Sequence, residues 1–268
     1  AAGIEEKVKI WSIDGQLLRV IDGYCDSNVC FSPDNSTIIF SGHPDAPFEK
    51  RAIELYTIEG THLSSFYGHT DRIWSVCFSP DGQLIASASH DATVKLWQLD
   101  GTLLHTFQGH TDRLSSLQFS PDGQTFVSGS HDTTVKLWKL DGTPLHTLEG
   151  HTSKVVCVKF SPDGQKIISA SRDKAIKLWN LEGKLLRTFL GHTDIISNLS
   201  FSPDGRKIAS SSADNTVRIW AIDGTDFTLD LDSQLDTLID QSCDRLQDYL
   251  RTNPNISEGD RQIYLGNS

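Results

Sequence analysis

Along most of the chain, apolar residues come in short runs cut by clusters of Gly, Pro, Asp, Asn and Ser. In the stretch 68–108, Ile73, Val76 and Phe78 lead into Ser79-Pro80-Asp81-Gly82. A second run, Leu84–Ser89, stops at His90-Asp91. A third, Thr93–Leu99, carries Val94, Leu96 and Trp97 and ends at the hairpin dipeptide Asp100-Gly101, and a fourth covers Leu103–Phe107. Apolar runs this short, each closed by a turn signal, predict four antiparallel strands rather than helices.

The pattern repeats with a fixed step. Gly-His recurs at Gly68-His69, Gly109-His110, Gly150-His151 and Gly191-His192, each 41 residues after the last. Phe-Ser-Pro-Asp-Gly begins at Phe78, Phe119, Phe160 and Phe201, and Trp97, Trp138, Trp179 and Trp220 keep the same step. Residues 68–108 and 109–149 are identical at 28 of 41 positions. Four strands per repeat of this length is the arithmetic of a β-propeller blade, so the fold class expected is all-β.

Gly-His, Phe-Ser-Pro-Asp-Gly and the Ser-x-Ser-x-Asp-x-x-Val-Lys-Leu-Trp string ending at Trp97 resemble the WD-repeat β-propeller family over about residues 1–225. The chain departs from the pattern at the residue after each Trp, which is Ser12, Gln98, Lys139, Asn180 or Ala221 and never Asp. The resemblance implies blades at about 24–67, 68–108, 109–149, 150–190 and 191–231, five complete ones, after a partial blade at 1–23. The first full unit is irregular: Tyr24 stands for His, Tyr56 for Trp, and extra residues around Pro44–Lys50 lengthen a loop. Within the partial blade, Glu5, Val8, Ile10 and Trp11 match a third strand, Leu17–Ile21 a fourth, and Ala1–Gly3 the tail of a second. Because the chain opens on Ala1 inside a unit and contains no Met, it reads as an excerpt of a larger ring; the alternative is a five-bladed ring in which strand 16–21 closes on strand 216–222.

The repeat domain spans 1–226, and 227–268 has another character. Leu231, Leu235, Leu238, Ile239, Leu246, Tyr249 and Leu250 recur at three- to four-residue spacing, which predicts a short C-terminal amphipathic α-helix, closed by Pro254. Such a helix either caps the final blade or docks a partner. From Asp223 onward there are ten acidic and three basic residues, so most of the net charge of −11 belongs to this segment. The string at 243–261 resembles the tails of bacterial, cyanobacterial-type WD-repeat proteins, in which the propeller often follows a NACHT-class nucleotide-binding domain. That resemblance implies upstream domains and a bacterial signalling role; the present chain has no G-x-x-x-x-G-K-[ST] string.

The charge argues against duplex nucleic acid or an anionic membrane as partner, and no apolar run is long enough for a membrane helix. Five Cys without a C-x-x-C pair suggest neither a disulfide framework nor a zinc site, and point to reduced thiols and a cytoplasmic setting. Cys25, Cys30, Cys77 and Cys157 fall in or beside first strands as small core or barrel-lining residues, and nothing marks Cys243 as reactive. His90-Asp91 and His131-Asp132 read as turn residues rather than metal ligands, and no cofactor is expected.

Ser, His and Asp also recur in register and imitate a hydrolytic triad. The family resemblance instead implies four structural tetrads: His69, Ser87, Asp91 and Trp97; His110, Ser128, Asp132 and Trp138; His151, Ser169, Asp173 and Trp179; His192, Ser210, Asp214 and Trp220. It also places partner binding on the face where the Gly-His loops and second-to-third-strand turns converge. Trp74 stands out there, since its later counterparts are Ser115, Val156 and Ser197; it either packs on a neighbouring blade or anchors a ligand. With Arg72, Arg113 and Lys154, which share one register, it is the candidate contact for a protein or peptide partner. The function expected is a non-catalytic interaction scaffold or sensor module; the alternative is a standalone propeller with a ligand-binding or enzymatic site at the channel mouth.

Overall fold

The computed structural model describes residues 2–3, 7–22, 29–42 and 52–223. Over these residues the chain forms 22 strands in six antiparallel sheets. The first sheet holds β1 (Ala2–Gly3), β2 (Lys7–Trp11) and β3 (Leu17–Asp22); the second holds β4 (Val29–Phe31), β5 (Thr37–Ser41), β6 (Ala52–Thr57) and β7 (His62–Tyr67). The third is β8 (Ile73–Phe78), β9 (Leu84–Ser89), β10 (Val94–Gln98) and β11 (Leu103–Phe107). The fourth is β12 (Leu114–Phe119), β13 (Thr125–Ser130), β14 (Val135–Lys139) and β15 (Pro144–Leu148), and the fifth is β16 (Val155–Phe160), β17 (Lys166–Ser171), β18 (Ile176–Asn180) and β19 (Leu185–Phe189). The sixth has β20 (Ile196–Phe201), β21 (Lys207–Ser212) and β22 (Val217–Ala221).

Strand order follows chain order in every sheet, so each is a meander of adjacent hairpins. β10 is one residue shorter at each end than the run Thr93–Leu99, because Thr93 and Leu99 belong to the flanking turns. Strands β3 and β22 lie in separate sheets, so the closure of 16–21 on 216–222 is not made among the described residues. Tyr24, Cys25, the loop around Pro44–Lys50, the end of the blade expected at 191–231, Cys243 and the C-terminal helix lie outside the described residues.

The core sits between sheets. Ala86, Val94, Leu96 and Phe107 of the third sheet meet Leu114, Leu117, Phe119, Phe126 and Trp138 of the fourth. The same interdigitation joins Val127, Val135, Leu137 and Leu148 to Val158, Phe160, Ile167 and Trp179, and every consecutive pair has its own cluster. An inner sheet is thus covered on both faces, and its strands lose the apolar–polar alternation of a half-exposed sheet; β13 is buried from Phe126 to Ser130. The tetrad Trp of each sheet reaches back to the preceding fourth strand: Trp97 lies edge-on to Phe66, and Trp138 to Phe107. This explains the Gly of Gly-His, since a Cβ on Gly68 would stand 3.0 Å from the Trp97 ring at a φ of +156°.

A buried relay ties each sheet together. His69 Nδ1 lies 2.8 Å from Asp91 Oδ2, His69 Nε2 2.8 Å from Ser87 Oγ, and Trp97 Nε1–H donates to the same Oγ at 2.9 Å. The other three sets, on His110, His151 and His192, repeat these distances to within 0.1 Å (2.7–2.9 Å throughout). A carboxylate can only accept, so Nδ1 carries the imidazole proton and Nε2 accepts from the serine hydroxyl, which accepts from the indole. Each Asp also takes the N–H of the residue after His, Thr70 or its counterparts. The loop, the second strand and the third strand are thereby joined through one carboxylate.

The second sheet builds this junction differently. Phe40 stands where the later sheets have Ser, opposite Glu54 as Ser87 is opposite Lys95, and it stacks on Tyr56 at 5.4 Å with 18° between rings. An aromatic pair there takes the places of the Ser and the Trp.

His110→Ala is expected to cost about 1–3 kcal/mol, the penalty for leaving Ser128 and Asp132 without their buried partner. Differential scanning calorimetry checks it, and an unchanged melting temperature would count against the relay. For Asp173, burial pushes the carboxyl up, but hydrogen bonds from His151 and the N–H groups of Thr152 and Ala175 outweigh it and hold the pKa at about 2. Burial holds His69 below its ordinary value despite Asp91. Both folded pKa values are depressed, so stability is present above the unfolded values and is lost as pH falls. Melting temperature is expected to decline below about pH 6.5 as the unfolded histidine protonates, and steeply between about pH 4 and 2. A profile flat down to pH 3 would contradict this.

The turn residue after each tetrad Asp is left-handed: Ala92, Thr133, Lys174 and Asn215 have φ of 66°, 74°, 69° and 65°. A β-branched residue is the most strained of these. Thr133→Asn, copying the sixth sheet, is therefore expected to raise the melting temperature by a few degrees, for about 1 kcal/mol of relief.

Candidate functional site

The first strands β8, β12, β16 and β20 converge on a cavity of about 370 Å³. It is lined by Trp74 and Ser75, Ser115 to Leu117, Val156, Cys157 and Lys159, and Ser197 and Asn198. Each of these strands carries a register shift at the same point, between Ile73 and Ser75, Leu114 and Ser116, Val155 and Cys157, and Ile196 and Asn198. The bulged residue is therefore Trp74, Ser115, Val156 or Ser197, and all four line the cavity. A bulge frees one residue from the ladder and re-aims its side chain, so the variable position is the one turned to the opening.

Trp74 is 39% exposed, and its ring stacks on His90 of its own sheet at 5.2 Å and 19°. His90 in turn lies 6.3 Å from the ring of His131 on the next sheet. The Trp74 ring thus stacks within its own sheet while lining the opening.

Arg72, Arg113 and Lys154 sit on the loops before the first strands, each tied by its carbonyl to the turn after the second strand: His90, His131 and Arg172 donate their backbone N–H to these carbonyls at 2.8–2.9 Å. The rim alternates loop and turn residues accordingly, Arg72 with His90, Arg113 with His131, and Lys154 with Arg172. Burial and the charges of Lys154, His90 and Arg172 hold the His131 pKa below its ordinary value against the pull of Asp112. The carboxylate of Asp112 itself accepts the backbone N–H of Arg113 at 2.7 Å. In the sixth sheet the same two positions are Ile195 and Ala213, so the basic arc ends there. Arg172, His90, His131 and Lys159 were missed as a group in the sequence because no two of them are close along the chain.

Deeper in, the residue before each repeated Phe is Cys30, Cys77, Gln118, Lys159 or Ser200. Gln118 Oε1 accepts the Phe160 N–H of the next sheet at 2.8 Å, and Ser116 Oγ accepts that of Val158 at 3.2 Å, so side chains satisfy the open edges of the first strands. The thiols of Cys30, Cys77 and Cys157 are free, and burial pushes all three upward against the opposing pull of Lys159. They are poor nucleophiles for that reason.

The Ser–His–Asp geometry is that of a triad, but the tetrad serines are closed off: Ser87, Ser128 and Ser169 are 0% exposed and each hydroxyl is already capped by an indole N–H. Among the described residues no group of three or more His, Cys, Asp and Glu is placed to hold a metal ion, and no helix is long and apolar enough to cross a membrane.

Comparison with known proteins places the chain. Residues 30% identical over 99 positions relate it to the target of rapamycin complex subunit wat1 of Schizosaccharomyces pombe, covering 35% of this chain and 30% of that protein. A second alignment, 30% identical over 87 positions, is with the transcriptional corepressor LEUNIG_HOMOLOG of Arabidopsis thaliana and covers 32% of this chain and 10% of that protein. The chain thus spans less than a third of either curated relative. The model of the WD domain, G-beta repeat, matches residues 60–98, 101–139, 142–180 and 183–221, each match taking the last strand of one sheet and the first three of the next. With more than half of its length matched in four repeats, the chain belongs to the WD40 repeat family.

Proposed function

We propose that the chain is a non-catalytic protein-interaction scaffold whose binding surface is the opening around Trp74, with Arg72, Arg113 and Lys154 as contacts. WD40 repeats imply a scaffold of this kind. The observation that supports the location is the contrast between two sets of equivalent positions. The tetrads are the same in four sheets, whereas the four bulged positions are Trp, Ser, Val and Ser. Repeating the fold requires the first set, and nothing in the packing requires the second to vary. The relatives' names, a complex subunit and a corepressor, agree with action through assemblies.

Within this reading the sheets belong to a propeller, and the tail resemblance suggests a sensor or regulatory module of a bacterial signalling protein that carries upstream domains.

A Trp74→Ala variant tests the surface. Affinity capture with the parent chain identifies a partner, and calorimetric titration then compares the two proteins. Loss of the aromatic anchor is expected to weaken binding about ten-fold or more with the melting temperature unchanged. Equal affinity would remove Trp74 from the surface. The enzymatic alternative predicts labelling by a fluorophosphonate serine probe; the buried tetrad serines are expected to stay unlabelled in the folded protein.

A further inference from the structure

Four of the cations around the opening are unpaired among the described residues. Among the described residues, the side chains of Arg113, Lys154, Arg172 and Lys159 make no ion pair and no hydrogen bond. Several lysines elsewhere are engaged: Lys95 donates to Thr106, Lys136 to Thr147, Lys177 to Thr188 and Lys174 to the Thr193 carbonyl. The cavity lining contains no Asp or Glu.

Its uncommitted polar groups can all donate. Asn198 Oδ1 accepts the Leu199 N–H at 2.8 Å and faces the Cys157 thiol at 3.4 Å; the bond from an N–H fixes the amide orientation and leaves the Nδ2 donors without a partner among the described residues. Ser75 Oγ likewise has none, and the half-buried Lys159 ammonium lines the same space. A cavity of about 370 Å³ is at the small end for a ligand pocket, enough for a side chain rather than a folded element. The positive arc is local, since the chain as a whole carries −11.

We infer that the cavity is an anion subsite that takes one carboxylate side chain of an acidic peptide segment on Lys159, Ser75 and Asn198, with flanking acidic residues on Arg113, Lys154 and Arg172. This deepens the interaction reading and rests on it. Lys159 binds the inserted carboxylate through a charge-assisted hydrogen bond, which is stronger than a neutral one. The rim cations act at longer range, so they govern encounter and salt dependence.

The test uses the full chain and fluorescein-labelled peptides of alternating Glu and Gly, Gln and Gly, or Lys and Gly, read by anisotropy. The Glu peptide is expected to bind, more weakly as salt rises, and the other two are not. Lys159→Gln is expected to weaken it about five-fold or more, and Arg113→Gln or Lys154→Gln a few-fold each. Arg206→Gln, in a turn at the far end of the strands, changes net charge equally and is expected to leave binding unaltered. Thermal melts confirm that each variant folds. Binding of all three peptides alike, or Glu-peptide binding insensitive to Lys159→Gln, overturns the anion subsite. So does an absence of Glu-peptide binding, or free glutamate or inorganic phosphate binding as tightly as the peptide. Each of those results leaves the wider interaction surface to be judged by Trp74→Ala and the captured partner, so the two readings fail separately.

Discussion

A buried carboxylate must be fully supplied with donors, and that requirement organises each repeat. Asp91, Asp132, Asp173 and Asp214 collect the imidazole N–H, a loop N–H and the N–H of the third-strand entry, so the loop cannot drift from the strands it crosses. The imidazole passes the constraint to a serine, and the serine to an indole. Because the indole also packs on the preceding sheet, a hydrogen-bonded device internal to one sheet sets how the next one docks.

The second sheet carries Phe40 and Tyr56 in place of the Ser and Trp of the relay. Phe40 and Tyr56 form a ring stack there, which supplies packing in place of the Ser–Trp hydrogen bond. The loop preceding that sheet begins with Tyr24 instead of His. Once the histidine is gone, a buried serine would have no acceptor for its proton, and an apolar ring at that site is the consistent substitution.

With the frame held by the relay, the opening is free to vary. Its bulged positions carry a large aromatic ring on one sheet and small residues on the others, and its basic residues come from three sheets and stop at the sixth. The asymmetry gives an otherwise repetitive surface a direction: an aromatic end at Trp74 and a cationic end at Lys154 and Arg172.

Much of this was legible in the residues. The turn dipeptides bounded Leu84–Ser89 and Leu103–Phe107, which are β9 and β11, because hairpin turns are local and their residues announce themselves. Repetition put the tetrad residues in register, since side chains spaced identically in four copies occupy equivalent places. The Phe40–Tyr56 stack was less accessible, because extra residues around Pro44–Lys50 change the spacing along the chain between the second strand and the third, although their pairing register is kept. The bulges were hidden altogether: an extra residue in a strand is defined by its partner strand, and the alternation of Ile73 to Phe78 alone does not show that Trp74 turns to the cavity. The sequence by itself determined the repeat, the turns and the residues that must be buried together within a unit, because those follow from local backbone preference and short-range hydrogen bonding. Only the tertiary structure decided the site, because Trp74, Lys159 and Asn198 lie on separate sheets and meet solely through the packing of one sheet on the next.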